Sequence, residues 1–153
     1  MEKISCSLND AGKVPSNSKF VVLRENKKII TNSLAVYLLD QGCCGLDMFM
    51  PYSSVDKSLK VSIKNSPKHC DVMVFSGEIT NKVAPIIRHV YDEMAFPKWV
   101  VAVGSCACSG GLYSSYSLVR GVDKIVPVDI QVVGCPPDPS LIFDVFKFIT
   151  NKD

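Results

Sequence analysis

The sequence predicts an α/β fold built on a mainly parallel β-sheet. Two apolar runs, VMVF (72–75) and WVVAV (99–103), are typical of buried strands, and a segment with helical spacing of apolar residues (81–94) lies between them. A second helical segment (141–149) lies near the end of the sequence. This alternation of strands and helices favours a parallel sheet covered by helices.

Two β-like runs precede this pattern, KFVVLR (19–24) and SLAVYLL (33–39). The polar residues 1–17 are expected to be loosely ordered, which leaves 18–153 as a single α/β domain. A chain of 153 residues is long enough for one domain with a real hydrophobic core.

The helix predicted over 81–94 carries apolar residues on one face, namely Val83, Ile86, Ile87, Val90 and Met94. Pro85 is expected to disturb its first turn, and Pro97 to end it. Farther along, residues 125–133 are expected to be extended. The last helix is expected to have Asp138 as its N-cap and Pro139 as its first residue.

Composition excludes several classes of protein. The chain has 17 basic and 15 acidic residues, a net charge of +2, and no basic stripe, so we expect no nucleic-acid partner. We also expect no secretory signal, transit peptide or membrane span. Hydrophobic residues make up 47% of the chain and its mean hydropathy is +0.19, which indicates that part of its apolar surface contacts other subunits.

The cysteines carry the functional signal. Seven cysteines without a secretion signal point to metal or redox chemistry rather than to disulfides. Cys43 and Cys44 follow the 33–39 run, Cys106 lies in GSCACSGG directly after WVVAV, and Cys135 follows the extended segment. Because ligands in parallel α/β sheets bind beyond the carboxyl ends of the strands, we expect these four thiols to share one edge.

Thiolates are soft ligands that suit zinc or an iron–sulfur cluster. Adjacent cysteines converge poorly on one zinc ion, whereas a cubic cluster offers each of them a separate iron. The pair Cys43–Cys44 therefore favours a cluster held with Cys106 and Cys135. The glycines of GSCACSGG can turn backbone N–H groups toward such a cluster, and Gly134 allows the chain to approach closely.

The remaining candidates have simpler interpretations. Cys6, Cys70 and Cys108 are predicted to be packing residues, with Cys108 pointing away from Cys106. His89 is predicted to lie on the surface. His69 is predicted to be a structural histidine, with a proton-linked role near the cluster as the alternative. Two tyrosines, Tyr113 and Tyr116, are predicted to be core or interface residues.

These motifs resemble a known family. The tandem cysteines, followed in order by SPKHCDVMVFSG, ITNKVAP, YDEMAFPKWVVAVGSCACSGG, YSLVRGVDKIVPVDI and GCPP, are similar to the cluster-bearing small subunit shared by respiratory complex I and the energy-converting nickel–iron hydrogenases. The resemblance covers about residues 33 to 145. It implies a flavodoxin-like three-layer fold and one 4Fe-4S cluster, whose ligands would be Cys43, Cys44, Cys106 and Cys135.

Some motifs of this sequence resemble the complex I branch of the family, and others resemble the hydrogenase branch. The tandem cysteines resemble the complex I branch, although Asp47 replaces its glutamate. CCGLD also resembles the hydrogenase motif with Leu46 in place of a cysteine, and Cys108 and His69 are similar to the hydrogenase branch.

The resemblance implies an electron-transfer subunit of an oxidoreductase complex, without catalytic residues of its own. It would relay electrons from an upstream iron–sulfur subunit to the large catalytic subunit of a hydrogenase-like, ion-translocating complex. Its place would be the cytoplasmic face of the cell membrane, where membrane subunits would hold it. One alternative is a complex I subunit that delivers electrons to quinone. Another is a structural subunit with zinc or without a cluster.

Overall fold

A computed structural model describes residues 20–24, 33–45 and 60–150 of the chain. Its centre is a six-stranded sheet with the order β1-β8-β6-β4-β2-β3. These strands are β1 (Phe20–Val22), β2 (Ser33–Asp40), β3 (Lys60–Ile63), β4 (Val72–Ser76), β6 (Trp99–Val103) and β8 (Ile130–Val132). A small antiparallel pair, β5 (Ile79–Thr80) with β7 (Leu118–Val119), lies apart from this sheet.

The central sheet is mainly parallel, as the sequence predicts. Strands β3, β2, β4, β6 and β8 run in one direction, and only β1 pairs in the antiparallel sense, with Phe20 opposite Val132. The helices are α1 (Ala84–Glu93), α2 (Gly104–Ser109) and α3 (Ser140–Thr150); residues 42–45 are also helical. No helix in the described residues is long and apolar enough to cross a membrane.

The two faces of the sheet form two hydrophobic cores. Successive residues of a strand point to opposite faces, so Val72 and Val74 pack with the apolar side of α3, including Phe146. Met73 and Phe75 pack on the other face with α1, α2 and the chain after α2. Helices on both sides of one sheet confirm the expected three-layer, flavodoxin-like α/β fold.

Most of the predicted elements are present with shifted ends. The run at 19–24 forms only β1, and the helix expected from 81 begins at Ala84. Pro85 lies in the first turn of α1, where its missing N–H costs no hydrogen bond. The helix ends at Glu93, before Pro97.

Two expectations about the second half of the chain were incomplete or wrong. Residues 125–133 are not extended throughout: Ile125, at the end of a 3-10 turn (Val122–Lys124), has helical backbone angles, and sheet pairing includes only Ile130–Val132. A turn and then a short helix were expected after WVVAV, whereas the helix α2 begins directly after β6 at Gly104. The expected loosely ordered segment 1–17, with Cys6, lies outside the described residues, as do Leu46 and Asp47.

Candidate metal centre

The four predicted ligands occupy one edge of the sheet. Because β2, β6 and β8 are parallel, their carboxyl ends point the same way. Cys43 and Cys44 lie in the helical residues that follow β2, Cys106 lies in α2 after β6, and Cys135 follows β8. The structure therefore brings together the cysteines that the sequence singles out.

The four thiols form a shallow, half-covered group. Cys44 and Cys106 are only 3% and 9% exposed, whereas Cys43 and Cys135 are exposed. A group bound by all four would have one side in the protein and one side at the surface.

Two glycines make room for the buried sulfurs. A Cβ atom on Gly104 would lie 2.7 Å from the Sγ atom of Cys44, and one on Gly111 would lie 2.9 Å from the Sγ of Cys106. Both glycines have positive φ, which other residues rarely adopt. The backbone thus approaches the thiols so closely that any side chain at these two positions would displace a sulfur.

Hydrogen bonds fix the cysteine loops relative to each other. The backbone N–H of Ser105 donates to the carbonyl oxygen of Gly134 at 2.8 Å, and its hydroxyl donates to the same oxygen at 3.0 Å. A Cβ atom on Gly134 would lie 2.5 Å from Cα of Pro137, so this turn has no room for a side chain at Gly134.

The loop that leads to Cys43 is tied to β4 in a similar way. The N–H of Gln41 donates to the carbonyl oxygen of Ser76 at 3.0 Å, and the Ser76 hydroxyl donates to Asp40 Oδ1 at 3.3 Å. Burial raises the pKa of the Asp40 carboxyl, and the Ser76 hydrogen bond partly offsets that effect.

Two of the four thiols have a raised pKa. Burial, followed by the charges of Cys43, Cys106 and Cys135, raises the pKa of Cys44 to about 11. Burial also raises the pKa of Cys106, followed by the charges of Glu78, Cys135 and Cys43. Each thiolate would therefore repel the others, and a positive metal group among them would remove this penalty.

Glu78 is a residue that the sequence reasoning missed. It follows the carboxyl end of β4, and its charge is the second cause of the raised Cys106 pKa. Glu78 directly follows Gly77 at the end of a predicted strand, and this position could have indicated that it lies at the cysteine edge.

The donor set at this edge is four cysteine sulfurs, which are soft metal ligands. Within residues 20–24, 33–45 and 60–150, no three Cys, His, Asp or Glu side chains are placed to hold a single metal ion. Four sulfurs around one zinc ion would lie only about 3.8 Å apart. A bound iron–sulfur cluster would give each of the four thiolates its own iron.

The other candidate residues lie elsewhere or have their own contacts. The Cys108 thiol donates to the carbonyl oxygens of Ala102 and Val132 at 3.6 and 3.7 Å, so it points into the fold. The Cys70 thiol is buried and donates to the Ser66 carbonyl oxygen at 3.1 Å. Both contacts agree with packing roles.

Both histidines are exposed. His69 lies before the amino end of β4, opposite the cysteine edge, and is exposed rather than structural. His89 is exposed on α1, where it lies 3.6 Å from Glu93. Tyr113 and Tyr116 are also exposed, so the core alternative for them is wrong.

Fold and site together define a three-layer α/β protein with cysteine thiols gathered at the carboxyl edge of its sheet. Residues 37–149 match the family described as NADH ubiquinone oxidoreductase, 20 Kd subunit. The chain belongs to that family.

Individual relatives agree with this assignment. A subunit of the NADH-quinone oxidoreductase of Campylobacter fetus is 40% identical over 124 residues, which are 79% of this chain and 74% of that protein. The corresponding subunit of the Desulfovibrio desulfuricans NADH-quinone oxidoreductase is 45% identical over 117 residues, which are 72% of this chain and 63% of that protein.

A solved structure has the same fold. A chain in the membrane-bound sulfane sulfur reductase, an archaeal respiratory membrane complex, is similar with a TM-score of 0.67 and 29% sequence identity. The similarity covers 80% of this chain and 73% of that chain.

Proposed function

We propose that this chain is an electron-transfer subunit of a membrane-associated oxidoreductase complex and holds one 4Fe-4S cluster. The observation that carries the proposal is the convergence of Cys43, Cys44, Cys106 and Cys135 at one edge of the sheet, where the charges of Cys43 and Cys135 add to burial in raising the pKa of Cys44 and of Cys106. When bound, the cluster supplies one-electron redox chemistry, and the protein supplies its position and surroundings.

The chain's own residues bind and orient this group. The four cysteines act as thiolate ligands. The backbone at Gly104 and Gly111 lies so close to the buried sulfurs that a side chain at either position would displace a sulfur. The Ser105 bonds to Gly134 hold two of the ligand loops together. The proposal gives this chain no catalytic residues of its own.

The cysteine edge suits a protein partner. Cys43 and Cys135 are exposed, and the loop after α2 carries exposed apolar side chains, including Leu112 and Tyr116, which is 98% exposed. Exposed apolar surface of this kind marks interaction sites. We place the large catalytic subunit of the complex here, with an upstream iron–sulfur subunit as electron donor.

The proposal also specifies the partner complex. We place the chain, residues 18–153 as one domain, at the cytoplasmic face of the cell membrane, held by ion-translocating membrane subunits and without nucleic acid. The large subunit is hydrogenase-like. A second candidate is electron delivery to quinone, which the names of the Campylobacter and Desulfovibrio relatives favour.

Metal analysis separates these versions. The native complex is purified through a tag on this chain, and its iron and nickel are measured. Iron with stoichiometric nickel supports the hydrogenase-like version, and iron without nickel favours quinone or another nickel-free acceptor. Zinc alone, or no metal, would contradict the cluster and support the structural alternative.

A further inference from the structure

We propose that a cavity at the opposite edge of the sheet from the cysteines binds a small organic anion that carries an aromatic ring. The cavity has a volume of about 520 Å³, and its wall includes Arg24, Tyr91, Phe96, Lys98 and Asp129. Cavities of roughly 300 to 1,000 Å³ are typical of small-molecule sites.

The cavity is separate from the candidate metal centre. Lys98 directly precedes β6 and Asp129 directly precedes β8, whereas Cys106 and Cys135 follow these strands. A strand of five residues such as β6 spans about 16 Å at roughly 3.3 Å per residue. A ligand here would therefore not contact the cysteine edge.

Two charged groups of the wall are fixed by the fold. Lys98 is 6% exposed, and its ammonium donates to the carbonyl oxygens of Tyr91 and Met94 at the end of α1. Asp129 is buried and accepts the backbone N–H of Val100 at 2.8 Å. These contacts preorganise the polar floor of the cavity without any rearrangement.

The charge of the wall favours an anion. Lys98 and Asp129 are both buried, carry opposite charges and are hydrogen-bonded within the fold, whereas Arg24 adds one positive charge to the wall. Arg24 is exposed, and its planar guanidinium matches a carboxylate or phosphate with two parallel hydrogen bonds. Arg24 is thus placed to bind the anionic group of the ligand.

The aromatic side chains favour a ring. The Lys98 ammonium lies 3.8 Å from the centroid of the Tyr91 ring and 4.7 Å from that of Phe96. Phe96 is 83% exposed, so most of its surface is open to a ligand ring. Burial raises the pKa of Tyr91, followed by the charge of Asp129, while the charges of Arg88 and Arg24 lower it.

The proposal is tested by calorimetric titration of the full chain with two aromatic anions, AMP and salicylate. Inorganic phosphate and adenosine serve as the separated halves of AMP. We expect at least one aromatic anion to bind, and to bind more tightly than either half. Binding of AMP but not of salicylate would indicate a phosphate ligand, and binding of salicylate but not of AMP would indicate a carboxylate ligand.

Three variants assign the binding to this cavity. Arg24→Gln is expected to weaken binding about tenfold through loss of a charge-assisted contact. Phe96→Leu keeps an apolar side chain without a ring and is expected to weaken binding severalfold. Arg120→Gln makes the same charge change beside Ser114, away from the cavity, and is expected to leave binding unchanged.

Both tested side chains are exposed, so their replacement should not unfold the chain; circular dichroism verifies this. If neither anion binds at millimolar concentration, or if Arg24→Gln and Phe96→Leu bind as the wild type does, the proposal is overturned. The visible absorbance of the cluster reports on the cysteine edge separately.

Discussion

Ser105 donates two hydrogen bonds to the carbonyl oxygen of Gly134, one from its backbone N–H and one from its hydroxyl, at 2.8 and 3.0 Å. Each of these residues directly precedes a proposed ligand, Cys106 and Cys135. One carbonyl oxygen therefore sets the spacing of two ligand loops that are distant in sequence.

Replacing Ser105 with Ala removes the hydroxyl bond and leaves the backbone bond in place. We expect the free energy of unfolding to fall by about 1 kcal/mol, and the cluster to be lost faster in air, because the two loops are less firmly held. Urea titration and the decay of visible absorbance measure the two effects. Ser109→Ala, which removes an exposed bond to the Ser105 carbonyl oxygen, is the control. Equal behaviour of both variants would contradict this role.

Gly104→Ala tests the close approach to Cys44. The added Cβ would lie 2.7 Å from Sγ at a φ of +87°, so the thiol must move. We expect a loss of iron as well as a strain cost of about 1 to 2 kcal/mol. Gly110→Ala has a similar φ of +86° but meets Arg120 instead of a sulfur. Iron per chain should fall in the first variant and stay near the wild-type value in the second; iron retained in Gly104→Ala would argue against the close contact.

The Cys108 thiol should make stability depend on alkaline pH. Burial raises its pKa from the ordinary 9.0 to about 12, followed by the charges of Asp123 and Cys44. Between about pH 9 and pH 12, the thiol ionises in the unfolded chain but stays protonated in the folded one. Rising pH therefore favours unfolding. One such group changes stability by up to about 1.4 kcal/mol per pH unit.

Cys108→Ala removes the contribution of this thiol to the dependence. The free energy of unfolding of the cluster-free wild type is expected to fall more steeply above pH 9 than that of the variant. Urea titrations across the window measure both slopes. Parallel curves would show that the thiol is not protected in the folded state.

Asp138 caps the last helix. Its Oδ1 accepts hydrogen bonds from the N–H and the hydroxyl of Ser140, both at 2.9 Å. Asp138→Ala is expected to lower the free energy of unfolding by about 1 kcal/mol, as for other N-caps. Asp144→Ala, an exposed change within the same helix, is the control. Thermal unfolding compares the two variants, and an equal fall in Tm in both would contradict the capping role.

The sequence was most informative where one local rule applies. The runs at 72–75 and 99–103 are continuously apolar because both faces of the sheet are covered, and the structure confirms β4 and β6. The shared edge of the cysteines followed from the parallel direction of the strands. Asp138 was found because an N-cap depends on its nearest neighbours alone.

Other features depend on contacts that are distant in sequence. The helix α2 is six residues long, too short for a helical period, and its Gly, Ser and Cys residues favour helices weakly. Residues 125–133 alternate like a strand because Val126 and Val128 are buried, yet only β8 joins the sheet. β3 was missed because four residues carry little pattern.

The central claim is that four particular cysteines hold one cluster, and iron and acid-labile sulfide per chain test it most directly. Cys43→Ala, Cys44→Ala, Cys106→Ala and Cys135→Ala are compared with Cys70→Ala and Cys108→Ala, whose thiols have their own contacts. We predict about four iron and four sulfide per chain in the wild type and in the last two variants, and a large loss in each of the first four. Full iron and sulfide in any of the first four variants, with the fold verified by circular dichroism, would contradict the account.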